Sequence, residues 1–129
     1  MKALLEIDPD NADALNFIGY SYAERGVKLD EAETLIRKAV RFKPDNGYIM
    51  DSLGWVYFRQ NRLEEAIDCL RKAVDLLPQD PTIAGHLGDA YKKAGQTEKA
   101  LDVYREALQR NPGNSDLEEK IRSIQISGG

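Results

Sequence analysis

The chain is poor in the residues that make reaction centres. Cys69 is its one cysteine and His86 its one histidine, so an internal disulfide framework and a multi-cysteine zinc site are both excluded. His86 with Asp89 three residues on supplies two ligands, too few for a zinc site. No Gly-rich phosphate loop, G-x-S-x-G elbow or H-E-x-x-H helix occurs. Glu64-Glu65 and Glu118-Glu119 read as solvated helix faces, not as acid–base pairs. The chain is therefore read as no enzyme, with no catalytic residue, no metal and no cofactor. No apolar run approaches the roughly 20 residues that a membrane-spanning helix needs, and no signal-peptide pattern opens the sequence. Basic residues are in the minority too. The formal net charge is −4, against the excess of Lys and Arg that a nucleic-acid binder turns toward phosphates.

What is abundant is repetition. Prolines stand at Pro9, Pro44, Pro78 and Pro112, spaced 35, 34 and 34 residues. Gly19, Gly54 and Gly88 keep the same beat, as do Tyr22, Tyr57 and Tyr91. Ala32, Ala66 and Ala100 form a further series, and Ala39, Ala73 and Ala107 another. Five series at one period mark a repeat architecture. Within the second unit, Ala66, Cys69, Leu70, Ala73, Val74 and Leu77 fall at the i, i+3, i+4, i+7 spacing of an amphipathic helix. The preceding apolar segment, from Met50 to Tyr57, is separated from it by Arg59-Gln60-Asn61-Arg62. The pattern predicts first helices near 11–25, 46–60 and 80–94 and second helices near 29–42, 63–77 and 97–110. Asp80 is the expected N-cap before Pro81, with Asp45 or Asn46 and Asp10 or Asn11 in the same role earlier. A shorter helix over about 115–125 opens on Ser115-x-x-Glu118, a capping-box pattern.

The glycines each cost a helix interior roughly 1 kcal/mol relative to Ala, so they are expected where two helix backbones approach closely, with Ala32, Ala66 and Ala100 facing them. Cys69 shares its repeat position with Leu35 and Val103 and is expected to be a small buried apolar residue, the usual state of a free cysteine.

The run Leu53-Gly54-x-x-Tyr57, Ala66, Leu70, Ala73, Pro78 resembles the tetratricopeptide repeat signature. It recurs as Ile18-Gly19-x-x-Tyr22, Ala32, Ile36, Ala39, Pro44 and as Leu87-Gly88-x-x-Tyr91, Ala100, Tyr104, Ala107, Pro112. The first unit carries one extra residue in its inter-helix turn, around Gly26-Val27-Lys28-Leu29. The resemblance implies an all-α, right-handed superhelical solenoid of three antiparallel helix-turn-helix repeats plus a C-terminal capping helix. It divides the chain into the tail of a preceding repeat (1–9), three repeats (10–44, 45–78 and 79–112), a capping helix (113–126) and a tail (127–129).

By the same resemblance, the first helices line a concave face that commonly holds an extended peptide. The matching positions are Asn16, Tyr20, Ala23 and Glu24 in the first unit, and Tyr48, Asp51, Ser52, Trp55, Phe58 and Arg59 in the second. The third contributes Thr82, Gly85, His86, Asp89, Lys92 and Lys93. Trp55 and Phe58 are the expected anchors, because large aromatics on a solvated face call for a cover and Trp, Tyr and Arg are enriched at binding hot spots. Some members clamp a C-terminal carboxylate with Lys, Asn and Arg. Here those positions hold Asn16, Tyr20, Ser52, Thr82 and His86, and the clamp is not carried over. The expected role is a protein-interaction scaffold binding a peptide or partner segment. Alternatives are self-assembly through solenoid edges bearing Leu4, Leu5 and Ile7 at one end and Ile121, Ile124 and Ile126 at the other, or a regulatory appendage of a larger protein. The compartment stays open between the cytoplasm and, by the bacterial wording of the first two repeats, an envelope-associated longer chain.

Overall fold

The computed structural model describes residues 11–127, with side chains through Gln125, and these form seven α-helices. They are α1 (Ala12–Arg25), α2 (Leu29–Phe42), α3 (Gly47–Arg59), α4 (Leu63–Leu76), α5 (Pro81–Lys93), α6 (Thr97–Arg110) and α7 (Ser115–Ser127). Leu4, Leu5, Ile7 and Pro9, and the side chain of Ile126, lie outside the described residues.

The two kinds of helix start differently. The first helix of each hairpin opens on a side-chain cap. Asn11 accepts from the Ala14 N–H at 2.8 Å, Asn46 from Ile49 at 3.1 Å, and Asp80 from both Thr82 and Ile83. Each cap satisfies donors that the helix itself leaves orphaned. The second helices begin at Lys28, Arg62 and Gln96 with no side-chain cap. Acidic residues in their first turns, Asp30 and Glu31, Glu64 and Glu65, and Glu98, meet the positive end of the helix dipole instead. For α7 the capping residue is Asn114, which accepts from Leu117 N–H at 2.9 Å. Ser115 is thereby moved from the expected cap to the first helical residue.

Each hairpin turns on a left-handed residue seven positions after its packing glycine: Gly26, Asn61 and Gly95. The extra residue of the first turn is absorbed by Lys28, itself left-handed at φ 49°, an uncommon state for a residue with a Cβ. The packing glycines admit a side chain from the second helix. A Cβ at Gly19 would fall 2.5 Å from Ile36, at Gly54 2.6 Å from Leu70, and at Gly88 2.1 Å from the Tyr104 ring. Contrary to the alanine expectation, the residue over each glycine is thus Ile36, Leu70 or Tyr104. Ala32 and Ala66 approach only through their carbonyl oxygens, and all three alanines are buried behind.

One core runs from Ala12 to Ile124 through all three hairpins. Consecutive first helices pack on each other, α1 on α3 and α3 on α5, while α2 packs on α3 and α4 on α5. The first helices therefore lie on the inner side of an all-α solenoid. On the outer side, Glu33 joins the first two hairpins, 2.8 Å from Arg62 and within reach of Gln60 and Arg37. Burial opposes ionisation of Glu33, but the bonds from Gln60 and Arg37 and the charge of Arg62 hold its carboxyl below the usual range.

Candidate functional site on the inner helix face

Residues of α3 and α5 form a row across the joint between the second and third hairpins. The Lys93 ammonium lies 4.8 Å over the Phe58 ring. Phe58 stacks on Trp55 with centroids 4.6 Å apart and planes 6° from parallel. The other face of Trp55 meets His86 at 4.2 Å, and His86 Nδ1 bonds Asp51 at 2.8 Å. Helix geometry dictates the first contact, since Phe58 follows Trp55 by three residues on one face. Solenoid stacking dictates the second, by setting α5 beside α3. Both faces of the indole are occupied, so Trp55 and Phe58 present ring edges to the inner surface, and both remain partly exposed.

Other expected site residues are placed differently. Asp51 and Ser52 were expected on the exposed side of α3, but both are buried: the solenoid presses this part of α3 against its neighbours. Asp51 bonds His86, and the Ser52 hydroxyl donates to the Tyr48 carbonyl at 3.1 Å. His86 stands on the concave face, as its repeat position implies, but is not open there. Its side chain is 12% exposed, covered by the Trp55 ring and engaged with Asp51. Asp89 does not join His86 in a ligand pair. It accepts from the Tyr104 hydroxyl and from Lys120 at 3.0 and 3.1 Å. Among the described residues no three His, Cys, Asp or Glu side chains gather as a metal site, and no helix is long and apolar enough to cross a membrane. Burial, then the charge of Asp68, pushes the Cys69 thiol up to about 11, and its side chain packs against the core.

Tyr20 stands at the Trp55 position of α1, partly buried. Burial first, and a hydrogen bond to Glu24 second, push its phenol well above the ordinary range, so it stays a neutral donor. The Asn16 side-chain oxygen is buried. Tyr48 is 58% exposed, but it sits two turns before Trp55, about 10 Å along the helix, beside Leu77, Pro78 and Asp80 of the next connection. Thr82 is exposed, and Gly85 is buried under Lys120. Arg59, Lys92 and Lys93 are exposed at the ends of α3 and α5. The Arg59 guanidinium lies against Gly26, where a Cβ would come within 2.7 Å.

Two contributors escaped the sequence reading. Phe17, 56% exposed, occupies the repeat position of Ser52 and His86. Lys120 of α7 occupies that position one period after His86 and reaches Asp89 as His86 reaches Trp55. Extending the first-helix register in both directions would have found them.

The tetratricopeptide repeat profile matches residues 1–47 and 52–115. A TPR repeat-containing protein of Pseudomonas aeruginosa is 42% identical over 62 residues, which is 48% of this chain and 10% of that protein's length. The structure of MamA superposes with a TM-score of 0.82 at 25% identity, covering 98% of this chain and 74% of that one. A thermophilic TPR protein of Thermus thermophilus shares the fold with a TM-score of 0.86 at 23% identity, over 97% of this chain and 69% of that one. Proteins of this fold commonly mediate protein–protein interaction and scaffolding and are typically non-enzymatic. With its packing glycines, capped first helices and matching profile, the chain belongs to the tetratricopeptide repeat family.

Proposed function

We propose that this protein is an interaction scaffold whose inner helix face holds a segment of a partner protein, on repeats spanning 10–44, 45–78 and 79–112 with 113–126 as the cap. The observation that carries this reading is the row Lys93–Phe58–Trp55–His86, which keeps two large aromatic rings partly in solvent across one inter-repeat joint. An exposed aromatic surface of this kind is a recurring mark of a binding patch. Tyr20, Trp55 and Phe58 supply apolar contact, with Tyr48 as a more distant anchor toward the start of α3. Glu24, Arg59, Lys92 and Lys93 supply charge at the rim. Asn16, Asp51, Ser52, His86 and Asp89 set the geometry from beneath. A peptide-library selection on the parent and on Trp55→Ala tests the reading. A motif enriched by the parent alone supports it, since losing a central Trp anchor costs binding about 2 kcal/mol or more. Equal enrichment by both, with the variant folded by circular dichroism, sinks it.

A second reading rests on the first hairpin. Phe17, Val27 and Phe42 are all exposed there, and Phe17 stands where His86, two joints further on, packs against a preceding helix. Self-assembly end to end, this edge against the one bearing Ile121, Ile124 and Ile126, would show in light scattering over a concentration series, and a strict monomer at high concentration would dismiss it.

A further inference from the structure

The charge balance differs along the inner face. Overall the protein carries −4, yet around the Trp55–Phe58 row the carboxylates are engaged within the structure. Asp51 holds His86, and Asp89 holds both Lys120 and the Tyr104 hydroxyl. Asp13 pairs with Lys43 at 3.2 Å, while Glu24, exposed and bonded to the neutral Tyr20 phenol, keeps its charge on the first hairpin, one repeat before Arg59. Three cations beside that row have no carboxylate partner among the described residues. Arg59 and Lys92 are exposed and enter no ion pair among the described residues, and Lys93 rests on the Phe58 ring. The sequence explains why. One helical turn before Arg59 comes Trp55, and one turn before Lys92 comes Gly88, where an i–4 carboxylate would otherwise sit. Lys93 has Asp89 at that spacing, but Asp89 is already taken. By contrast Arg110, in the last turn of α6, has Glu106 one turn back at 3.6 Å. The partial negative charge of a helix C-terminus favours a surface cation only weakly and does not replace a paired carboxylate.

The aromatic rings point the same way. An aromatic ring is negative over its face and positive around its edge. Because both Trp55 faces are filled and Phe58 is held between Trp55 and Lys93, these rings turn edges to the groove. Ring edges beside three uncompensated cations suit carboxylates and repel ammonium groups.

We infer that the occupant of this face is an acidic polypeptide segment carrying one aromatic or branched aliphatic anchor, its carboxylates meeting Arg59, Lys92 and Lys93 while the anchor packs edge-on against Trp55 and Phe58. The inference rests on the docking reading above and names the partner's chemistry.

Trp55 is the sole tryptophan, so its emission reports occupancy directly. The probes are three peptides of equal length with a central Phe, flanked by Asp and Glu, by Lys and Arg, or by Ser and Gln, with calorimetry in parallel. The acidic peptide is expected to bind tightest and to weaken as salt rises, because exposed pairs are screened over about 8 Å at physiological ionic strength. Replacing Arg59, Lys92 and Lys93 together by Gln should weaken it by about tenfold, with the fold unchanged by circular dichroism. Reversal of all three to Glu should transfer preference to the basic peptide. If the parent binds the neutral or basic peptide as well as the acidic one, the acidic assignment falls while the docking face stands. If no peptide of any charge perturbs Trp55 or gives a calorimetric signal, the docking reading itself falls.

Discussion

The second and third hairpins share one backbone plan but solve their packing with opposite chemistry. In the second, Leu70 lies over Gly54 and the next inner position is Trp55. In the third, Tyr104 lies over Gly88 and the next inner position is Asp89. The two choices are linked. A buried tyrosine hydroxyl is stabilised by an acceptor, and Asp89 supplies one from the facing helix while also meeting Lys120 of α7. A leucine makes no such demand, which leaves the Trp55 position free to carry an aromatic ring for the inner surface. The comparison teaches that the period of 34 fixes where a side chain stands, while the residue facing it decides whether that place is tied into the structure or turned outward.

The largest expected effect breaks the comparison at the glycines. In Gly88→Ala the new Cβ would sit 2.1 Å from a Tyr104 ring that is pinned at its far end by Asp89, so relief requires moving the ring or the helix. In Gly54→Ala the neighbour is the Leu70 isobutyl group, which can yield by rotation. Overpacking typically costs about 1–3 kcal/mol, and Ala regains part of that through better helix propensity. Gly88→Ala should therefore lose about 2 kcal/mol in urea unfolding, and Gly54→Ala about half as much. Equal losses would mean that Tyr104 is not pinned.

Next comes the polar tie itself. Asp89→Ala removes the acceptor of the Tyr104 hydroxyl and the counter-charge of Lys120 together, and should cost about 2 kcal/mol. Tyr104→Phe leaves Asp89 its ion pair and should cost about 1 kcal/mol. A double-mutant cycle between the two isolates their coupling. A cycle that closes without coupling would reduce the hydroxyl bond to an incidental contact.

Much of this was legible in the sequence, because it depends on position alone. The helix limits followed from apolar spacing, and Asn11, Asn46 and Asp80 cap the first helices because Asn and Asp just ahead of a helix offer an oxygen to its free N–H groups. Lys28 took up the extra residue where the spacing had placed it. What was not legible are pairings across a joint, between residues some 31–35 apart. Asp51 with His86, Trp55 with His86 and Asp89 with Lys120 each depend on how one hairpin leans on the next and on the rotamers that follow. Ser52 looked available on a helical wheel and is buried because α3 has neighbours on more than one side. Ser115 looked like a cap because its pattern resembles one, yet the oxygen one residue earlier, on Asn114, captured Leu117 N–H.

The smallest predicted effect sharpens the comparison into a question of cooperativity. Cys69 lies on α4, next to Leu70, and so belongs to the second hairpin. An ordinary thiol titrates near about 8.5, whereas burial holds this one up to about 11. The folded state therefore favours the protonated thiol. That contribution to stability is fully present below the unfolded pKa and is lost as pH rises through about 8.5 toward the folded value. Since only thiolate is nucleophilic, native Cys69 at pH 8 should alkylate at least about 100-fold more slowly than in urea. Local opening of the second hairpin is then read as a faster reaction. Repeat arrays are approximately a sum of units and the interfaces between them. Gly54→Ala, though the milder change overall, should raise the native labelling rate more than Gly88→Ala does. If Gly88→Ala raises it as much, strain under Tyr104 reaches Cys69 through α4 and α5, and the two hairpins open as one unit despite their different chemistry.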